Sequence, residues 1–105
     1  MDIHTLAERL DLDEASCRDL LELFVRESRK DLKRLRAALA AADCGGVAEA
    51  AHSLRGAAGN LDLKEIMLLA DKMESGARSG SLEKSAGLIR QLTVSLDNLA
   101  GEIAS

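Results

Sequence analysis

The chain has 105 residues, enough for one domain with one modest core. Nineteen leucines and seventeen alanines face only nine Val, Ile and Thr residues, one aromatic (Phe24) and no proline, which excludes a sheet protein and leaves an all-α bundle of uninterrupted helices. A net charge of −4 from 14 basic and 18 acidic residues, with no stacking aromatics, argues against nucleic acid as a partner.

Five helices are predicted in chain order. The first spans about 2–10, with Asp2 as N-cap and Ile3, Leu6, Ala7 and Leu10 on one face. The second is long, about 14–42, capped by Asp13. Its core stripe is Leu21, Phe24, Ser28, Leu32, Leu35 and Leu39, with Arg26, Arg29, Lys30, Lys33 and Arg36 on the solvated back. The third, about 44–60, follows Asp43 and buries Val47, Ala51, Leu54, Ala58 and Leu61. Asp62 and Glu65 have capping-box spacing and are expected to start the fourth helix, about 63–78, with Leu63, Ile66, Ala70, Met73 and Ala77 facing in. The fifth runs from about 82 to 103 on Leu82, Ile89, Leu92, Leu96, Leu99 and Ile103. Short connections between long helices imply an antiparallel up-down four-helix bundle, 1–105, with the short first helix as an extra N-terminal piece. An open helical array or a dimer-forming hairpin is the alternative.

No apolar run reaches the ~18 residues of a membrane span, and MDIHTLAERL lacks an apolar signal core, so a cytoplasmic protein is expected. Cys17 and Cys44 suit a reducing compartment and read as small apolar fillers. His4 reads as a surface residue.

The chemistry lies in AHSLRGAAGNLDL, residues 51–63. His52 sits one position off the core stripe, about 100° around the helix, so its imidazole tip should reach water. Its same-face neighbours are Ala48, Glu49, Arg55, Gly56 and Gly59. A mid-helix glycine costs about 1 kcal/mol relative to alanine. Two of them beside the one core-edge histidine make sense if another surface must approach it. Close packing inside the bundle, or fraying near the helix end, explains them equally well from spacing alone. Arg55, one turn after His52, suits an anion such as phosphate, or pairs with Glu49 as an ordinary surface arginine.

Other uses of His52 fall away. Metal binding needs three or four ligands, and only His4 remains as a second histidine. Ser53 points about 100° away from His52, which disfavours a Ser–His pair. No GxxxxGK[ST] or GxGxxG motif marks a nucleotide site. The histidine is left as a covalent carrier, since an imidazole nitrogen can accept a phosphoryl group and release it.

At this point the sequence resembles the histidine-containing phosphotransfer (HPt) domain. The family pattern A-H-x-[LI]-K-G-x-[AS]-x-x-[LIVF]-G is matched at Ala51, His52, Leu54, Gly56, Ala58 and Leu61, in a chain of the family's length. The resemblance implies a four-helix bundle with His52 as phosphoacceptor on Nε2. It places Arg55 where the family usually has Lys, holding the phosphoryl group, and Gly56 where room is left for the partner. It places Glu74, 22 residues on, where a Gln or Glu accepts from Nδ1–H of His52. Against that role stands the ordinary one of a solvated acid near Lys72 or Arg78. The family's glycine ten residues after the histidine is replaced by Asp62, read here as the fourth helix's N-cap.

The implied function is a phosphorelay carrier that shuttles a phosphoryl group between aspartates of receiver domains of response regulators or a hybrid histidine kinase. It is a phosphocarrier, not a self-sufficient enzyme. It has no ATP site and needs no cofactor of its own, with Mg²⁺ expected on the receiver. The expected docking face is Ala48, Arg55, Gly56 and Gly59, on a chain expected to be a monomer. Two alternatives are the phosphoacceptor module of a chemotaxis-type histidine kinase, and a helical partner-binding module that never carries phosphate.

Overall fold

The computed structural model describes residues 2–104; Met1 and Ser105, the ends of the expected domain, lie outside the described residues. Five helices and no strand occur among the described residues: α1 Ile3–Arg9, α2 Glu14–Ala40, α3 Cys44–Asn60, α4 Lys64–Arg78 and α5 Ser85–Ala104. The four long helices close a ring, α2 on α3, α3 on α4, α4 on α5 and α5 back on α2, while α1 packs against α2. The molecule measures 42 × 20 × 17 Å, about the length of α2 alone. The all-α bundle with a short extra helix is therefore the observed fold.

The core is the set of stripes read from the sequence. Leu21, Leu32 and Leu35 of α2, Val47, Ala51 and Leu54 of α3, Met73 of α4, and Leu92 and Leu96 of α5 are all buried to within a few per cent. Aspartates cap three helices as expected. Asp2 accepts from the His4 N–H, Asp13 from Ser16 and Asp43 from Gly46, each satisfying a donor that the first turn leaves free.

The start of α4 differs from expectation. Its N-cap is Leu63, with no side-chain cap, and Asp62 is not part of a capping box. Instead Asp62 has φ +56°, its N–H donates to Gly59 O at 3.1 Å, and the Leu63 N–H donates to Ala58 O at 2.9 Å. These two bonds form a Schellman motif that ends α3, and they leave no room for Asp62 to begin α4. Glu65 is turned instead to α5, accepting from Ser95 Oγ at 3.1 Å. The same closure ends α1 at Asp11 (φ +56°), α2 at Ala42 (φ +51°) and α4 at Gly80 (φ +84°). Only the last uses the residue that adopts this conformation without steric cost.

α5 begins at Ser85, three residues later than its apolar pattern suggests, although Leu82 still packs on the core from the loop. His4 is exposed, as expected, and lies between Glu8 and Glu14 at 2.8 and 2.7 Å. Cys17 is buried and Cys44 half-buried, and both are free thiols.

Candidate functional site

α3 and α4 are joined at Asp62, ten residues after His52 and twelve before Glu74. At about 1.5 Å per residue those positions lie about 15 and 18 Å from the junction, so an antiparallel hairpin sets them level. In that register Asp71 stands level with Arg55, and Arg78 level with Ala48.

The side chains meet accordingly. His52 Nδ1 lies 3.0 Å from Glu74 Oε2, and the imidazole is 59% exposed while the glutamate side chain is 7% exposed. Glu74 is thus buried, not at a solvated edge like His52, and the reading of it as a solvated acid is overturned. The same Oε2 accepts from Arg78 Nε at 2.9 Å and Nη2 at 2.7 Å. Arg55 Nε lies 2.8 Å from Oε1 of the same carboxylate, and its Nη1 3.7 Å from Asp71. Burial pushes the Glu74 carboxyl up, but the hydrogen bonds from Arg78 and His52 and the charge of Arg55 outweigh it and hold the group below its ordinary range.

This settles which imidazole nitrogen carries the proton. Arg55 Nη2 also approaches Nδ1, at 3.1 Å, and one ring nitrogen cannot both accept from Arg55 and donate to Glu74. An ionised carboxylate has only lone pairs to offer. Set against a bare Nδ1, it would oppose two lone pairs at 3.0 Å. Nδ1 therefore carries hydrogen and donates to Glu74, and in the neutral ring this puts the lone pair on Nε2. No described residue hydrogen-bonds Nε2, so the free lone pair sits on a half-exposed ring and can act as a nucleophile.

The other candidates divide. Gly56 is exposed, and a Cβ there would meet nothing within 4 Å; a Cβ at Gly59 would meet only the Met67 sulfur, at 3.4 Å. Close helix packing thus does not require either glycine, in contrast to Gly46, whose Cβ would fall 2.6 Å from Asp43 Oδ2. Ala48 is buried at 4% exposure, which removes it from any docking face, because its side chain turns in toward the core beside Val47 and Ala51. Ser53 faces away from His52 and donates to Asp31 Oδ2 of α2 at 3.2 Å.

One feature of the surface escaped the sequence reading. Leu20 and Leu23 of α2 are exposed, and with Ala57 and Leu61 they line an open groove of ≈ 550 Å³ between α2 and α3. Their signal was available, since both leucines lie off the stripe that builds the α2 core.

A bundle that presents one half-exposed imidazole, anchored through its far nitrogen to a buried carboxylate and bordered by bare helix backbone, has the parts of a phosphohistidine carrier. The family model of the Hpt domain matches residues 19–102, and the chain belongs to the Hpt family. It is similar to histidine-containing phosphotransfer protein B (HptB) from Pseudomonas aeruginosa PAO1, at 30% identity and a TM-score of 0.80. The match covers 99% of this chain and 90% of that one. No curated protein matches the sequence. The protein is accordingly a histidine phosphotransfer protein of a His–Asp phosphorelay, and such domains work with receiver domains. No described helix is long and apolar enough to cross a membrane.

Proposed function

We propose that Nε2 of His52 is the atom that carries the phosphoryl group, received from the aspartyl phosphate of one receiver domain and passed to the aspartate of another. The observation that carries this reading is the 3.0 Å contact between Nδ1 of His52 and buried Glu74, with Nε2 unpartnered on the exposed side of the ring. Attack by the Nε2 lone pair puts positive charge on the ring, and an ionised Glu74 against Nδ1–H stabilises that charge as it forms. Arg55, within 3.1 Å of the same imidazole, supplies the cation for the phosphoryl oxygens. The receiver brings Mg²⁺ and the aspartate.

The receiver docks over Gly56 and Gly59, where no side chain stands in its way. Its contact extends from there onto the open apolar groove of Leu20, Leu23, Ala57 and Leu61 between α2 and α3. Incubation with a phosphorylated receiver domain tests the reading. Acid-labile, base-stable label should appear on the chain and be absent from His52→Gln. Label that persists in that variant sinks the assignment.

A further inference from the structure

Two arginines share one carboxylate here, on opposite axial sides of the His52–Glu74 pair, and they are bonded very differently. Arg78, one turn along α4 from Glu74, donates twice to Oε2, at 2.9 and 2.7 Å. Arg55 is poorly satisfied. Its Nε is buried and only 2.8 Å from Oε1, yet the N–H is not aimed at the oxygen and finds no acceptor. Its Nη2 faces Nδ1 of His52 at 3.1 Å, which is itself a donor, and its reach to Asp71 is a long 3.7 Å. A buried donor without an acceptor is costly, so Arg55 gains on finding a new anion, whereas Arg78 has nothing to gain by moving.

We propose that Arg78 is a positioning residue of the phosphotransfer: it keeps Glu74 neutralised and turned toward Nδ1 while Arg55 leaves that carboxylate for the incoming phosphoryl group. The inference rests on His52 being the acceptor. In the transfer, the Nε2 lone pair forms the N–P bond, and the P–O bond to the partner's carboxylate breaks, with its electron pair leaving on that carboxylate. The Nδ1 proton stays between the ring and Glu74. Were Arg55 the only cation on Glu74, its departure would leave a buried carboxylate bare beside a phosphoryl dianion. With Arg78 fixed by its i,i+4 spacing, one arginine holds the glutamate while the other follows the phosphate. The charged groups that touch Glu74 among the described residues are His52 and Arg55 from α3 and Arg78 from its own helix, so the exchange involves these alone.

A double-mutant cycle on the full chain tests this, with phosphoramidate as donor so that docking does not enter. Arg78→Gln should slow labelling of His52 about tenfold, because Glu74 then retains Arg55, and Arg78→Lys should recover part of the rate. Arg55→Ala should slow labelling by a similar factor, and the double variant should be slowed by less than the product of the two single losses, because Glu74 then has no Arg55 to retain. The carboxyl ¹³C signal of Glu74 should titrate at higher pH in Arg78→Gln than in the wild type, a readout that a merely structural arginine would not move. Wild-type rate in Arg78→Gln, or losses that multiply in the double variant, overturns the proposal while leaving His52 as acceptor. Failure of the wild-type chain to take label on His52 overturns both.

Discussion

Replacing Glu74 by alanine isolates what the buried carboxylate contributes to the reactivity of His52. A hydrogen bond to a charged group contributes about 1.5–3 kcal/mol. The imidazole is 59% exposed, so water competes for Nδ1, and a value near the low end, about 1–2 kcal/mol, applies. At about 1.4 kcal/mol per factor of ten, phosphorylation of His52 by phosphoramidate should slow about 5- to 30-fold. Glu74→Gln keeps an acceptor without the charge, so it should fall between wild type and Glu74→Ala. Stability should change much less than rate. The variant removes the buried charge altogether, and the arginines left behind, 38% and 60% exposed, can turn to water, so a loss of about 1 kcal/mol or less is expected. Initial labelling rates, normalised to the folded fraction from circular dichroism, provide the measurement. A rate for Glu74→Ala within twofold of wild type would refute the reasoning. The stability term also has a pH signature. The folded carboxyl titrates below its ordinary value of 4.5, so its contribution is complete above that value and is lost as pH falls through the folded one. The difference in stability between wild type and Glu74→Gln should therefore vanish in acid.

Gly56→Ala should raise stability by up to about 1 kcal/mol, because its Cβ meets open space on a helix surface, and Gly56→Gln should slow transfer from a receiver while leaving phosphoramidate labelling intact. Leu23→Glu should weaken receiver transfer in the same selective way, read as a raised half-saturating receiver concentration. Ala42→Gly should stabilise the fold by about 0.5–1 kcal/mol, or roughly 3–6 °C in Tm, since it relieves a non-glycine residue at φ +51°. Asp62→Gly should gain less, because aspartate tolerates that conformation better and its side chain pairs with Arg9 at 3.0 Å. Asp31→Ala should slow phosphoramidate labelling, measured at equal folded fraction, whereas Asp31→Asn, which can still accept from Ser53, should not.

The helices and their buried faces were legible because each stripe repeats at the helical period and three N-termini carry an aspartate. The misreading of Asp62 has a physical source. Asp62 and Glu65 have capping-box spacing, but the helix before them ends in a Schellman closure that claims the backbone of Asp62 and Leu63. Sequence spacing does not show which of two adjacent helices a junction residue serves. Position 62 is where the family carries glycine, and the left-handed backbone observed there explains that preference directly. The burial of Glu74 was hidden for a related reason. Its helical phase puts it at an edge, and only the register of α3 against α4 reveals that His52 and Arg55 close over it, beside Arg78 of its own helix. Ala48 was misplaced by the same limit, since a side chain on the face of His52 can still be covered by the neighbouring helix.

The small residues of α3 explain why these polar contacts are needed. Val47, Ala50, Ala51, Leu54 and Ala58 are fully buried, so the helix is drawn deep between α2 and α4, yet four of its six buried positions, 48, 50, 51 and 58, carry only a methyl group. A face that smooth fixes the distance of α3 from its neighbours better than its rotation about its own axis, because knobs of equal size fit several settings. Rotation is the coordinate on which His52 depends, since one residue position is about 100°. Two hydrogen bonds at adjacent residues restrain it from opposite sides: Ser53 to Asp31 of α2 at 3.2 Å, and His52 to Glu74 of α4 at 3.0 Å. Asp31 and Glu74, two of the four buried polar or charged side chains among the described residues, serve as the anchors. On this account the polar groups inside the bundle orient the reactive ring more than they hold the fold together, which is why loss of either should register in the labelling rate before it registers in the melting temperature.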